Sequence, residues 1–144
     1  MKEKVCLVID VKQTIDDIQK VFNTAFPFLK IEFFRESHLR GKPTRKNVLY
    51  EPSRNLHSIQ MVNHSGQIII KETMAVGDLE MMFEEKYGLH AQVFRKSGNV
   101  WLETTATDDW SLKEQNDEGK HLQEQLRDVN NSYFAVESAS QKGK

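Results

Sequence analysis

The chain writes one local pattern twice, and this repetition constrains the fold more than any other feature. Residues Thr14–Ser37 (TIDDIQKVFNTAFPFLKIEFFRES) carry a helical period followed by an alternating one, and Ala75–Ser97 (AVGDLEMMFEEKYGLHAQVFRKS) carry both again in the same order. Aligned, Asp17 meets Asp78, Ile18 meets Leu79, Phe22 meets Phe83 and Phe26 meets Tyr87. One residue of adjustment then brings Leu29 onto Leu89, Phe34–Arg35 onto Phe94–Arg95 and Ser37 onto Ser97. A recurring helix–strand unit points to an architecture and leaves the reaction, if any, to particular side chains.

Periodicity places the elements. Val5–Asp10 is a short β-branched run that predicts a strand. Thr14 is a helix cap with Asp17 three residues on, and Ile15, Ile18, Val21, Phe22 and Ala25 recur along one helical face. Pro27 ends that helix, because the residue before proline is pushed out of the helical region. Leu29–Arg35 alternates, with Leu29, Ile31 and Phe33 on one side and Lys30, Glu32 and Phe34 on the other. Gln67–Lys71 and Val76–Tyr87 repeat the strand and helix, and Gly88 is the stop. Leu89–Thr105 reads as a hairpin turning at Ser97-Gly98-Asn99. Ser111 with Glu114 forms a capping box for a last helix running to about Asn130, with Gly119 a point where it can break. Leu122, Leu126 and Val129 make a stripe on that helix.

The expected fold class is α+β: duplicated βαβ units forming a ferredoxin-like or related two-layer sandwich, with an extra hairpin strand and a C-terminal helix. Two small βαβ lobes packed side by side satisfy the same periodicities. The expected domain organisation is a single domain over 1–137 and a frayed tail at 138–144. Repeat one covers about 4–37, a basic connection 38–66, repeat two about 67–105 and the C-terminal helix about 111–130. A chain of 144 residues buries roughly two thirds of its unfolded surface, enough for one core.

Charge is uneven although the net is only −1. Residues 1–72 carry +4 and residues 73–144 carry −5. The positive excess gathers in Arg35, Arg40, Lys42, Arg45, Lys46 and Arg54. Arg40, Lys42, Arg45 and Lys46 beside Gly41 and Pro43 are candidates for holding a phosphate, a nucleic acid or another polyanion. GKPTRK lacks the Gly-x-x-x-x-Gly-Lys-Ser/Thr spacing of a phosphate-binding loop and does not lead from a strand into a helix.

Alternation supplies the other candidate surface. If Leu29, Ile31 and Phe33 face the helices, Phe34 faces away, and by the repeat so does Phe94. Trp101 joins them on the next strand. Phe34, Phe94 and Trp101 are therefore expected on the outer face of the sheet, as a face for a protein partner or a second copy, or under cover from within the chain. Base stacking on the sheet is the third use of such aromatics, although the signature of RNA-recognition modules is missing here.

No catalytic group assembles from spacing. The five histidines, at 38, 57, 64, 90 and 121, are scattered, and the single Cys6 excludes an internal disulfide, so neither a metal site nor a cofactor is expected. The apolar run Val5–Ile9 is too short for a signal-peptide core or a membrane span, which with the single cysteine favours a cytoplasmic setting. The function expected is a non-catalytic protein-interaction or assembly module. The alternative is a polyanion binder acting through the basic connection over 35–54.

Overall fold

Caps decide where each helix begins. Thr14 is extended, and its Oγ1 accepts from the Asp17 N–H at 3.1 Å, opening α1 (Ile15–Ala25). At Ser111 the box closes both ways: its Oγ accepts from Glu114 N–H at 3.0 Å and the Glu114 carboxylate accepts from Ser111 N–H at 2.9 Å. This opens α4 (Leu112–Lys142). Helix α3 (Val76–Tyr87) has no side-chain cap. Its first N–H groups donate instead to the Trp110 and Asp108 carbonyls, at 2.9 and 2.6 Å. It ends at Gly88, whose φ of 65° is open to glycine without steric cost. A one-turn helix, α2 (Leu56–Ile59), precedes the second half of the chain.

The strands are β1 (Val5–Asp10), β2 (Leu29–Phe34), β3 (Gln67–Lys71), β4 (His90–Ser97) and β5 (Val100–Glu103). The structure, a computed structural model, describes residues 5–10, 12–35, 49–59 and 67–142. Among these residues the strands form two sheets, β1–β3 and β2–β4–β5, in which every neighbouring pair is antiparallel. An isolated bridge sets Leu49 beside Phe34 on the free edge of β2.

The chain is thus α+β with small antiparallel sheets, but its pairing departs from the ferredoxin-like sandwich. That sandwich has one sheet in which the two opening strands lie side by side and parallel. Here the opening strands β1 and β3 form a ribbon of their own and run antiparallel. The physical reason lies in the register. Val8 pairs with Ile69 near the middle of one ladder and Glu32 with Gln92 near the middle of the other. The sequence alignment matches Glu32 with Gln92, and carrying its offset back to the first strands matches Val8 with Ile69.

Eight of the long-range backbone hydrogen bonds also fall into four matched pairs. Ile15 N–H donates to the Arg54 carbonyl and Val76 N–H to that of Trp110; Asp16 N–H to Pro52 and Gly77 N–H to Asp108; Leu56 N–H to Gln13 and Leu112 N–H to Met74; Tyr50 N–H to Phe33 and Thr104 N–H to Val93. The bridges Thr14–Asn55 and Ala75–Ser111 match in the same way. The start of α2 therefore corresponds to the start of α4, and Leu49–Tyr50 to the end of β5.

The core lies between the sheet and α1 with α3. Leu29, Ile31 and Phe33 of β2 and Leu89, Ala91 and Val93 beside them are buried, as are Ile15, Ile18 and Phe22 of α1 and Val76, Leu79 and Phe83 of α3. The Phe33 and Phe83 rings meet edge to face at 5.3 Å, a geometry favoured by the ring quadrupole. Ile68 and Ile70 of β3 join this core.

Helix α4 runs past the end at Asn130 expected from the sequence, continues to Lys142, and is not broken at Gly119. Gly119 is instead the point where α4 comes closest to the sheet. A Cβ there would lie 2.7 Å from Phe28 Cβ and 3.4 Å from the Lys96 carbonyl oxygen. Asn116 Oδ1 accepts from Phe28 N–H at 2.8 Å, and Arg95 donates to Gln115 Oε1 at 2.9 Å, fixing the crossing. Arg95 pairs with Leu29, so α4 reaches the sheet on its helix side, not on the side of Phe94.

Candidate functional site

Two surfaces hold the chain's unusual groups. The first is the outer face of the β2–β4–β5 sheet. Strand register pairs Lys30 with Phe94, Glu32 with Gln92, Phe34 with His90 and Lys96 with Trp101. Period-two alternation puts all eight on the face away from the core. Phe34, Phe94 and Trp101 therefore share one face, but their accessibility differs. Phe34 is 0% and Phe94 6% exposed, while Trp101 is half-buried.

A cleft of about 360 Å³ opens there, lined by Lys30, Glu32, Phe34, Leu49, Phe94 and Trp101 among others. The Lys30 ammonium lies 5.3 Å from the Phe94 ring centroid and 5.3 Å from that of Trp101, and 3.2 Å from Glu32 Oε2. Lys96 approaches the Trp101 ring at 5.7 Å. Attraction of an ammonium to a ring face is worth about 0.5–1 kcal/mol at partly exposed sites. Glu32 Oε1 accepts from Gln19 Nε2 at 2.8 Å, and the same amide donates to the Ile31 carbonyl. The Lys30–Glu32 pair is thus held from below, and both groups are engaged in holding the face together. Gln92 is buried beside them. Its Nε2 donates to the Val93 carbonyl at 3.0 Å, and its Oε1 has no hydrogen-bond partner among the described residues.

His90, across from Phe34, is engaged at the edge of the sheet. Its Nδ1 lies 3.3 Å from Glu84 Oε1, at the end of α3. Among the described residues no three His, Cys, Asp or Glu side chains gather as metal ligands. Arg40, Lys42, Arg45 and Lys46 lie outside the described residues. The basic residues next to that segment converge on one ring: the Arg35 and Arg54 guanidinium carbons sit 5.1 and 5.8 Å from the Tyr50 centroid.

The second surface is an apolar strip where α4 leaves the body. Leu126 is 45% and Val129 65% exposed, and with Leu122, Gln125 and Ser97 they border an open groove of about 570 Å³. The β4–β5 turn touches this strip: a Cβ on Gly98 would meet Leu126 Cδ1 at 3.5 Å. Beyond that turn Val100 and Leu102 of β5 are exposed at 55% and 43%. Sequence periodicity singles out the stripe on α4. It misses Val100 and Leu102, because a short edge strand exposes the face that a central strand buries.

No helix among the described residues is long and apolar enough to cross a membrane. Comparison with models of protein families, with curated proteins and with solved structures finds no match to this chain.

Proposed function

We propose that this chain is a non-catalytic protein-interaction or assembly module of the cytoplasm, built from two copies of one strand–helix–strand unit. The matched hydrogen bonds of the two halves and the pairing of each strand with its counterpart support the duplication. The interaction reading rests on one observation: Leu126 and Val129 of α4 stand 45% and 65% exposed and border one open groove with Leu122 and Ser97. An exposed apolar patch on a small protein marks a contact site. Trp101, the accessible member of the outer-face aromatics, is the residue through which a partner would engage the other side of the sheet.

A photo-crosslinking amino acid at position 126, compared with one at the exposed Lys20 on α1, tests this in cells that express the chain. A discrete protein adduct from position 126 and none from position 20 is expected. No adduct from either position would remove the interaction reading.

The polyanion alternative is favoured by the convergence of Arg35 and Arg54 on Tyr50 at the edge of the basic segment. It requires that affinity for single-stranded oligonucleotide fall steeply with salt and that Arg45→Glu/Lys46→Glu flatten that slope by about one to two units. Binding that ignores salt would dismiss it.

A further inference from the structure

We infer that the partner along α4 is a second copy of this chain, the two helices forming a short two-stranded coiled coil. This rests on the assembly reading above and specifies its partner. Leu112, Gln115, Gly119, Leu122, Leu126 and Val129 follow one another at alternating spacings of three and four, the heptad seam of a coiled coil. The sequence continues that spacing with Tyr133 and Val136.

The seam changes partner along its length. Leu112, Gln115 and Gly119 are buried against the chain's own body. Leu122 is half-buried, Leu126 meets the body only partly, beside the β4–β5 turn, and Val129 is 65% exposed. The helix nevertheless continues to Lys142, about 20 Å beyond Val129 at 1.5 Å per residue. A stretch holding Asn130, Asn131 and Ser132 is a poor helix by itself, since short isolated helices are marginal and these residues are weak formers. A helix of this kind is stabilised by packing its apolar face.

The flanks of the seam select the occupant. Gln123, Gln125 and Asn130 flank Leu122, Leu126 and Val129 and carry no charge. Glu124, Arg127 and Asp128 occupy positions away from the flanks. A symmetric dimer brings identical flanking residues close together, where like charges would repel; amides avoid that penalty and offer donors and acceptors to each other. A partner recognised by charge would find no charge there to pair with. A twofold interface of one helix on its own copy also closes, and does not propagate into fibres.

Light scattering and sedimentation equilibrium across concentration, at low and high salt, give the test. Twice the monomer mass is expected at high concentration, insensitive to salt because the seam is apolar. Leu126→Glu/Val129→Glu should be monomeric with the near-ultraviolet spectrum of the body intact. In a Cys6→Ser background, Val129→Cys should oxidise to a disulfide-linked dimer. In a parallel pair Val129 meets its own copy; in an antiparallel pair the seam sets Val129 against Leu126 of the second copy, and Leu126→Cys/Val129→Cys cross-links instead. A wild type that stays monomeric at its highest soluble concentration overturns the inference. So does a dimer that the double glutamate variant leaves unchanged. In either case an adduct from position 126 with a different protein would keep the assembly reading alive, whereas no adduct would end both.

Discussion

Replacing Gly119 by alanine should destabilise the protein, although alanine is the better helix former. Helix propensity alone favours the change by about 1 kcal/mol. Against it stands the crossing of α4 over the sheet. The new methyl would sit 2.7 Å from Phe28 Cβ, while apolar carbons rest at about 3.5–4.0 Å. Phe28 Cβ is tied to backbone whose N–H donates to Asn116 and whose carbonyl accepts from Lys96 N–H at 2.9 Å, so it does not swing aside. Helix α4 has to lift by roughly 1 Å to restore contact distance. Overpacking of this kind costs about 1–3 kcal/mol, and weakening the part-buried Asn116–Phe28 hydrogen bond adds about 1 kcal/mol. The sum, less the propensity gain, is a net loss of about 1–3 kcal/mol, read as a lower urea midpoint at unchanged m-value. A double-mutant cycle with Phe28→Gly, which removes the clashing carbon, should recover about 1 kcal/mol as coupling energy. The exposed Asn131→Ala serves as propensity control and should stabilise slightly. If Gly119→Ala equals or exceeds the wild type in stability, α4 does not cross the sheet at Phe28.

Thr14→Ala removes the oxygen that accepts from Asp17 N–H and should cost about 1 kcal/mol by thermal or urea unfolding, with Thr14→Ser close to wild type. Glu80 is buried and its carboxylate accepts from Val93 N–H at 2.8 Å. Glu80→Leu leaves that N–H without its acceptor and should lose about 1–3 kcal/mol, more than Glu80→Gln, which keeps an acceptor oxygen; equal losses in the two variants would argue against the bond. Phe34→Ala should cost about 3–5 kcal/mol because the ring is fully shielded; a loss under 1 kcal/mol would mean the outer face is open in solution.

Local structure was legible where the determinants are local. The Ser111–Glu114 box, the turn at Gly98, the stop at Gly88 and the alternation of β2 and β4 each depend on residues within a few positions, and all stand where the sequence puts them. The length of α4 was not legible. Asn130, Asn131 and Ser132 read as a helix end, and the heptad continuing through Tyr133 and Val136 only becomes a reason to go on once a partner is considered. Gly119 read as a break because glycine weakens a helix; its role is the close approach to Phe28, a residue far away in the chain. Alternation fixes direction, and in the structure Phe34, Phe94 and Trp101 line one cleft. Alternation says nothing of cover, and so the burial of Phe34 and Phe94 beside a half-buried Trp101 was out of its reach.

Strand pairing was the deepest gap, and the duplicated reading explains both the gap and the chemistry that fills it. A strand followed by its helix and next strand invites pairing within the unit. Here β1 pairs with β3 and β2 with β4, the strands that the proposed duplication matches to each other. That arrangement brings a residue face to face with its own equivalent near the middle of each ladder. In the β1–β3 ribbon the pair is Val8 with Ile69, which tolerates likeness. In the β2–β4 ladder it is Glu32 with Gln92. Two glutamates there would set like charges directly opposite each other, a destabilising pair. The helices above exchange the same two chemistries. Gln19 of α1 donates to Glu32, and Glu80, its aligned position on α3, accepts from Val93 N–H one residue past Gln92. Carboxylate and amide have traded places between the halves where identical residues would conflict. That asymmetry serves the interior. Helix α4, at 31 residues, carries Leu126 and Val129 exposed, and these are the side chains on which the proposed interface rests.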